Sequence, residues 1–158
     1  MRRGMALALA LVAAAAAWQP AVGQVQGAGE RTAQAALPQG RSPLWATLRT
    51  TRIAEDDARG IFTASHPPAV KALVGRMLTL PGFIMPLDAA THGDHFLLSK
   101  YTPVCAFCPP GEPNEVVEVR TARPIAFSSK LVNVTGTFGL ENNGDNGLFF
   151  RMTGAQVR

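Results

Sequence analysis

A mainly β domain is what this sequence predicts: a small five-stranded OB-like barrel with a short N-terminal helical turn and an extended N-terminal tether. Three observations lead there. From Arg76 onward, apolar and polar residues alternate in short runs, the period of a strand with one buried face. Clusters rich in Pro, Gly and Asn separate these runs and suit turns. Five such runs in the second half of a 158-residue chain make a sheet too small to leave its edges open, and closure removes them. A small open sandwich is the second choice.

Residues 1–23 read as a secretory signal peptide. Arg2 and Arg3 form its positive end, and Met5 to Ala17 is an unbroken apolar run. That run is shorter than the roughly 20 residues a bilayer span needs. Trp18-Gln19-Pro20 ends it, and Ala21-Val22-Gly23 offers small residues for cleavage before Gln24, with Gln26-Gly27-Ala28 as a second site. No cysteine lies nearby to carry a lipid, and the arginine pair lacks a fuller twin-arginine motif. The expected destination is the periplasm or the medium, without a stable membrane anchor after cleavage. The formal charge is +4, and without Arg2 and Arg3 the excess falls to 13 basic over 11 acidic residues. So small and scattered a surplus does not suggest a nucleic-acid partner.

Residues 24–43, rich in Ala, Gln and Gly, show no periodicity and read as a flexible linker; residues 44–158 read as the barrel domain. Leu44, Trp45, Leu48 and Ile53 fit a first strand or short helix packed on it. Glu55-Asp56-Asp57 reads as a solvated acidic turn ended by Gly60, since it lacks the alternating spacing of a calcium loop. His66-Pro67-Pro68 opens one or two helical turns closed by Gly75. Met77 to Leu87 reads as a strand with a bulge at Pro81-Gly82. A loop holding His92 and His95 follows, then strands at Phe96–Tyr101, Glu115–Thr121, Leu131–Phe138 and Leu148–Val157. Gly139 to Gly147, rich in Asn, Gly and Asp, reads as a long hairpin connection.

The chemistry concentrates in Tyr101 to Val119, which holds both cysteines of the chain and four of its 12 prolines. Cys105-Ala106-Phe107-Cys108-Pro109-Pro110-Gly111 cannot continue a strand, because proline lacks the ladder donor and fixes φ. Three readings of the pair Cys105 and Cys108 stand open. In an oxidising compartment the two thiols suit a disulfide closing a very small loop. As a redox pair, Cys105 would attack and Cys108 resolve, but Pro109-Pro110 forbids the helix that would lower the first pKa. As metal ligands they would supply half of a zinc or copper site. His92 and His95 tempt as the other half. Yet an extended Phe96–Tyr101 would put them roughly 20 Å from the cysteines at about 3.3 Å per residue, and they read better as turn residues facing solvent. His66 could join only through tertiary contact. Asn114, after Pro113, is expected to cap backbone groups of the loop, and Tyr101 to be a barrel-rim aromatic. Glu115 and Glu118, three apart on one strand, are expected on opposite faces.

Val74-Gly75-Arg76-Met77-Leu78 through Leu80-Pro81-Gly82-Phe83 to Pro86-Leu87 is similar to the opening of the bacterial domain of unknown function 3299 family. Phe96-Leu97-Leu98, Tyr101, Cys105, Pro109-Pro110, Asn114 and Val116 fall where that family has its second strand, cysteine, proline run and asparagine, and Val134-Thr135-Gly136 resembles a later strand. The resemblance runs from about Ala69 to the C-terminus. It implies a small exported protein of OB-like fold, often encoded beside ABC-type transporter components, with no established activity. The family's histidine two residues after the cysteine is Phe107 here, and Cys108 follows it. A role built on a Cys-x-His pair therefore does not carry over. These readings converge on an exported, non-enzymatic binding or accessory protein, partnered by an envelope protein or transporter component or handling envelope metal, with no cofactor assigned beyond zinc or copper. A homodimer is compatible with it. A thiol-disulfide redox protein using Cys105 and Cys108 is the alternative.

Overall fold

The computed structural model describes residues 28–56, 58–104 and 111–158. In chain order these form helices α1 (Ala28–Ala35) and α2 (Pro43–Leu48), strands β1 (Arg52–Asp56) and β2 (Ile61–Ser65), and helix α3 (Pro68–Lys71). Strands β3 (Met77–Pro86) and β4 (His92–Ser99) follow, then a 3-10 turn (Pro113–Glu115) leading into β5 (Val116–Ala126). Strand β6 (Val132–Asn143), a second 3-10 turn (Gly144–Asn146) and β7 (Leu148–Val157) complete the chain.

The expected barrel is present. Strands β3, β4, β5, β7 and β6 close in that order, with β5 and β7 parallel and the other neighbours antiparallel, an OB-like Greek-key arrangement. Alternate residues fill the interior: Leu78, Leu80 and Ile84 from β3, Phe96 and Leu98 from β4, Val117 and Val119 from β5, Val134 and Phe138 from β6, Phe150 and Met152 from β7. This alternation is the pattern read in the sequence.

Strand β3 makes the corner that lets so short a sheet close. Met77–Gly82 pairs with β6, and Phe83–Pro86 pairs with β4. The expected bulge at Pro81-Gly82 is absent: both pairings run without a register shift, and Leu78, Leu80 and Ile84 keep the same face. The turn from one neighbour to the other is made by close approach instead. A Cβ on Gly82 would lie 2.6 Å from the Ser99 carbonyl oxygen and 2.8 Å from Leu98 Cγ, so only glycine lets β3 and β4 meet there.

The corner's Pro81 carbonyl accepts a 2.8 Å bond from Trp45 Nε1, and Trp45 itself is buried. Helix α2 delivers that indole. Ser42 caps its first turn by accepting from the Leu44 N–H, Pro43 occupies the first turn, and Trp45 and Leu48, three apart, both enter the core.

Several boundaries differ from the sequence reading. Residues expected to be a flexible linker form α1 from Ala28, followed by a segment stitched to the barrel, with Gln34 buried and Gly40 N donating to Lys100 O. Alanine-rich helix propensity, which needs no apolar stripe, explains why periodicity missed it. The β1–β2 hairpin likewise leaves little signal in the sequence. Asp56 Oδ1 accepts from the N–H groups of Ala58 and Arg59, Gly60 sits at φ 65°, and mostly exposed side chains leave little alternation to read. Asp57 lies outside the described residues. Strand β4 begins at His92, and β6 runs on to Asn143, which shortens the expected 139–147 connection. Among the described residues no helix is long and apolar enough to cross a membrane.

Replacing Trp45 by Phe keeps most of the buried ring but strips the Pro81 carbonyl of its donor, and is expected to cost about 1–3 kcal/mol. Gly82→Ala is expected to cost about 1–3 kcal/mol through the backbone contact at Ser99. Urea unfolding of both variants beside the parent measures each; unchanged midpoints would remove the corner from its place in the fold.

Candidate functional site: the stems of the cysteine loop

Strand β4 ends at Ser99, and the chain runs through Val104 towards the cysteine loop before returning at Gly111. Cys105, Cys108, Pro109 and Pro110 lie outside the described residues, and so do the readings placed on them. Both stems are described, and they are tied down heavily. Gly40 N donates to Lys100 O at 2.7 Å, Thr102 Oγ1 to Pro38 O at 2.6 Å and Gln34 Nε2 to Thr102 O at 3.2 Å. Gln39 bridges Tyr101, whose own N–H donates to Ser99 Oγ. The 34–40 segment is thus bonded alongside the outgoing stem.

The returning stem is a capped 3-10 turn. The Glu112 carboxylate accepts from the Glu115 N–H, and the Glu115 carboxylate accepts from the Glu112 N–H at 3.2 Å, a reciprocal capping box. Pro113 fits the first turn, where its missing N–H is no loss. Gly111 leaves room for Glu115: a Cβ there would stand 2.9 Å from Glu115 Oε2 and displace that side chain.

Glu115 joins the two stems. Its side chain is 6% exposed, and Oε1 receives Arg49 Nε at 2.9 Å, the Tyr101 hydroxyl at 3.1 Å and Lys100 Nζ at 3.4 Å. Lys100 also donates to the Tyr101 oxygen at 2.7 Å, and its ammonium lies 4.1 Å from the centre of the Tyr101 ring. One buried carboxylate therefore holds the residue after α2, the outgoing stem and the returning stem together. Such a charge is tolerable only with partners of this number and kind. The expected strand position for Glu115 is corrected here: it ends the 3-10 turn, and its carboxylate is buried. The sequence signal was the Glu112-Pro113-Asn114-Glu115 capping pattern ahead of an apolar run, beside two cations and a phenol elsewhere in the chain.

Asn114 does cap backbone, but of a distant segment. Its Nδ2 donates to Thr51 O at 2.9 Å and Arg49 O at 3.3 Å, satisfying carbonyls just beyond α2. Together with the Arg49–Glu115 pair, this fastens the returning stem to the α2–β1 junction.

A family model for a protein of unknown function, DUF3299, matches residues 23–148. The chain belongs to the DUF3299 family. The match begins well before the residues from Ala69 that carry the resemblance in the sequence, so it includes α1, α2 and the hairpin. A crystal structure of a DUF3299 family protein from Pseudomonas aeruginosa PAO1 is similar at 27% identity and a TM-score of 0.49, covering 78% of this chain and 87% of that one. No curated protein matches the chain.

In this DUF3299 protein the three histidines do not gather. The expected turn positions of His92 and His95 are corrected: both lie on β4, opposite Ala126 and Arg120. His95 Nε2 bonds Glu118 Oε1, and His92 Nδ1 bonds the Thr91 hydroxyl. His66 sits beneath the hairpin, with Nδ1 3.2 Å from Thr51 Oγ1 and its ring 5.6 Å from that of Phe150. Among the described residues no group of three or more His, Cys, Asp or Glu could hold a metal ion.

Two outcomes follow from this geometry. Glu115→Gln leaves Lys100 and Arg49 without their counter-charge and is expected to destabilise the protein by about 3 kcal/mol, read by denaturant unfolding; a change within error would show that the carboxylate does not hold the stems. Burial, and secondarily the Lys71 charge, hold the His66 pKa below its usual 6.5. The unfolded chain then binds the proton first, so the His66 contribution is complete above pH 6.5 and is lost as pH falls from there through the lower folded value. Unfolding midpoints compared between about pH 7.5 and about pH 5.5 should fall more steeply for the parent than for His66→Gln.

Proposed function

We propose that this DUF3299 protein is an exported, non-enzymatic binding or accessory module whose cysteine loop is its contact surface. The observation that carries the reading is the double anchoring of the loop stems. Glu115 binds both stems to each other and to Arg49, while the 34–40 segment is laid along the outgoing stem. Fixing both ends of a loop lowers the conformational entropy lost when it engages a partner, which is how a scaffold turns a short loop into a recognition surface. Val104 and Leu37, 62% and 37% exposed, stand beside the outgoing stem and offer apolar contact without contributing to the core. The family resemblance supports an envelope protein or an ABC-type transporter component as the partner. Cys105 and Cys108 supply soft ligands suited to zinc or copper(I), with the remaining ligands coming from the partner or a second copy. The barrel itself acts as the rigid base.

The test combines thiol counting, intact mass and zinc and copper analysis on protein purified natively from the periplasm, with photo-crosslinking from position 104. The expected result is a crosslink to an envelope protein that is lost in the Cys105→Ser/Cys108→Ser variant, together with either bound metal or a stable disulfide in the parent. Retention of the crosslink and of metal content in the double variant would sink the reading. Rapid dithiol exchange, with Cys105 forming a mixed disulfide that Cys108 resolves, would replace it by the redox alternative.

A further inference from the structure

A second group of charged side chains lies on the outer wall of the barrel, across β5, β7 and β6. Where β7 runs between β5 and β6, a cleft of about 370 Å³ is lined by Glu118, Arg120, Glu141, Asn143, Arg151 and Thr153. Its charges are arranged, not scattered. Glu118 and Arg151 are direct register partners across the parallel β5–β7 pair. Glu118 Oε1 accepts from Arg120 Nη2 at 3.2 Å and is bonded on its other side by His95. Arg151 Nη1 donates to Glu141 Oε2 at 3.1 Å.

Gly139 makes that last pair fit. It stands opposite Arg151 on β6, and a Cβ there would be 2.8 Å from Arg151 Nε and 3.2 Å from Cγ. The missing side chain leaves a trough along which Arg151 lies to reach Glu141. The Glu118 and Glu141 side chains are 15% and 33% exposed, while those of Arg120 and Arg151 are 59% and 51% exposed. A guanidinium carries five N–H donors, and each of these two makes one side-chain bond among the described residues, so most donors remain open to a ligand.

We propose that this cleft binds a small zwitterion of the free amino-acid or dipeptide class. The ligand carboxylate would lie on Arg120 and Arg151, and its ammonium on Glu141 and Glu118. Two carboxylates and two guanidiniums cancel, so a bare anion meets the glutamates and a bare cation meets the arginines. A ligand with both charges a few ångströms apart satisfies both sets at once, and bidentate guanidinium bonds suit its carboxylate. The volume falls at the small end of the roughly 300–1,000 Å³ range of ligand clefts.

The test is titration of nitrogen-15-labelled protein with the dipeptide Ala-Ala, followed by amide shifts. Saturable shifts at Glu118, Glu141 and Arg151 in the millimolar range are expected, weakened about tenfold or more in Arg151→Met and Glu141→Gln. Gly139→Ala should weaken binding similarly while changing no charge, because its methyl displaces the Arg151 guanidinium. Spectra unchanged away from the cleft establish that each variant folds, and if Gly139→Ala does not, the other two decide. Acetylated, amidated Ala-Ala should not bind. The proposal is overturned if the dipeptide gives no saturable shifts, if acetate or the capped peptide gives the same ones, or if the variants keep parental affinity. None of these outcomes bears on the cysteine loop, so the two readings stand or fall separately.

Discussion

The Glu115 carboxylate is the constraint on which the cysteine-loop end of this molecule depends. It is buried where Arg49, just after α2, meets the outgoing and returning stems, and each of the three contributes a donor to it. Had the carboxylate been placed by strand alternation, it would have faced either the apolar interior, at a prohibitive desolvation cost, or open water, with no hold on anything. The 3-10 turn solves this by rotating residue 115 out of the strand pattern before β5 begins. Residues flanking it then carry secondary fastenings: Asn114 to the end of α2, Glu112 to the turn itself, Gly111 by leaving room.

The same short helix performs the equivalent task for the barrel. Arg49, next after α2, reaches Glu115, and Trp45 within it reaches the Pro81 carbonyl at the β3 corner. A six-residue helix therefore connects the bend that permits closure to the turn that presents the loop. Trp45 also buries its ring, while the Arg49 side chain stays half exposed. Their effect is to fix the relative position of two irregular places in the chain, each of which leaves backbone groups in need of partners.

Most of the barrel was legible because alternation is a direct consequence of one buried face, and Val117, Val119, Phe138 and Met152 announce it clearly. Legibility failed where that cause was absent. The β1–β2 hairpin has few buried positions, α1 relies on alanine propensity, and Gly82 makes its bend by omitting an atom, which a sequence pattern reads as easily for a bulge. The site divides the same way. The special composition of residues 101–119 was visible, but the partners of Glu115 and Asn114 lie on segments far away in sequence, and pairings between distant polar residues leave no periodic trace. His95 was misplaced because Gly93 and Asp94, good turn formers, sit in a strand through the irregular register between Gly93 and His95.

The order of strands around the barrel has a consequence for how the molecule comes into being. Strand β7, last of the five in the chain, is the one inserted between β5 and β6, and beyond it Arg158 exchanges both backbone bonds with Asn133. Until β7 is in place the other four strands can form only an open sheet with two raw edges, in which Phe138 and Val119 lack the Phe150 and Met152 that cover them. Such edges are adhesive, and closing them needs the β5–β7 pairing, which cannot form before the C-terminal strand is available.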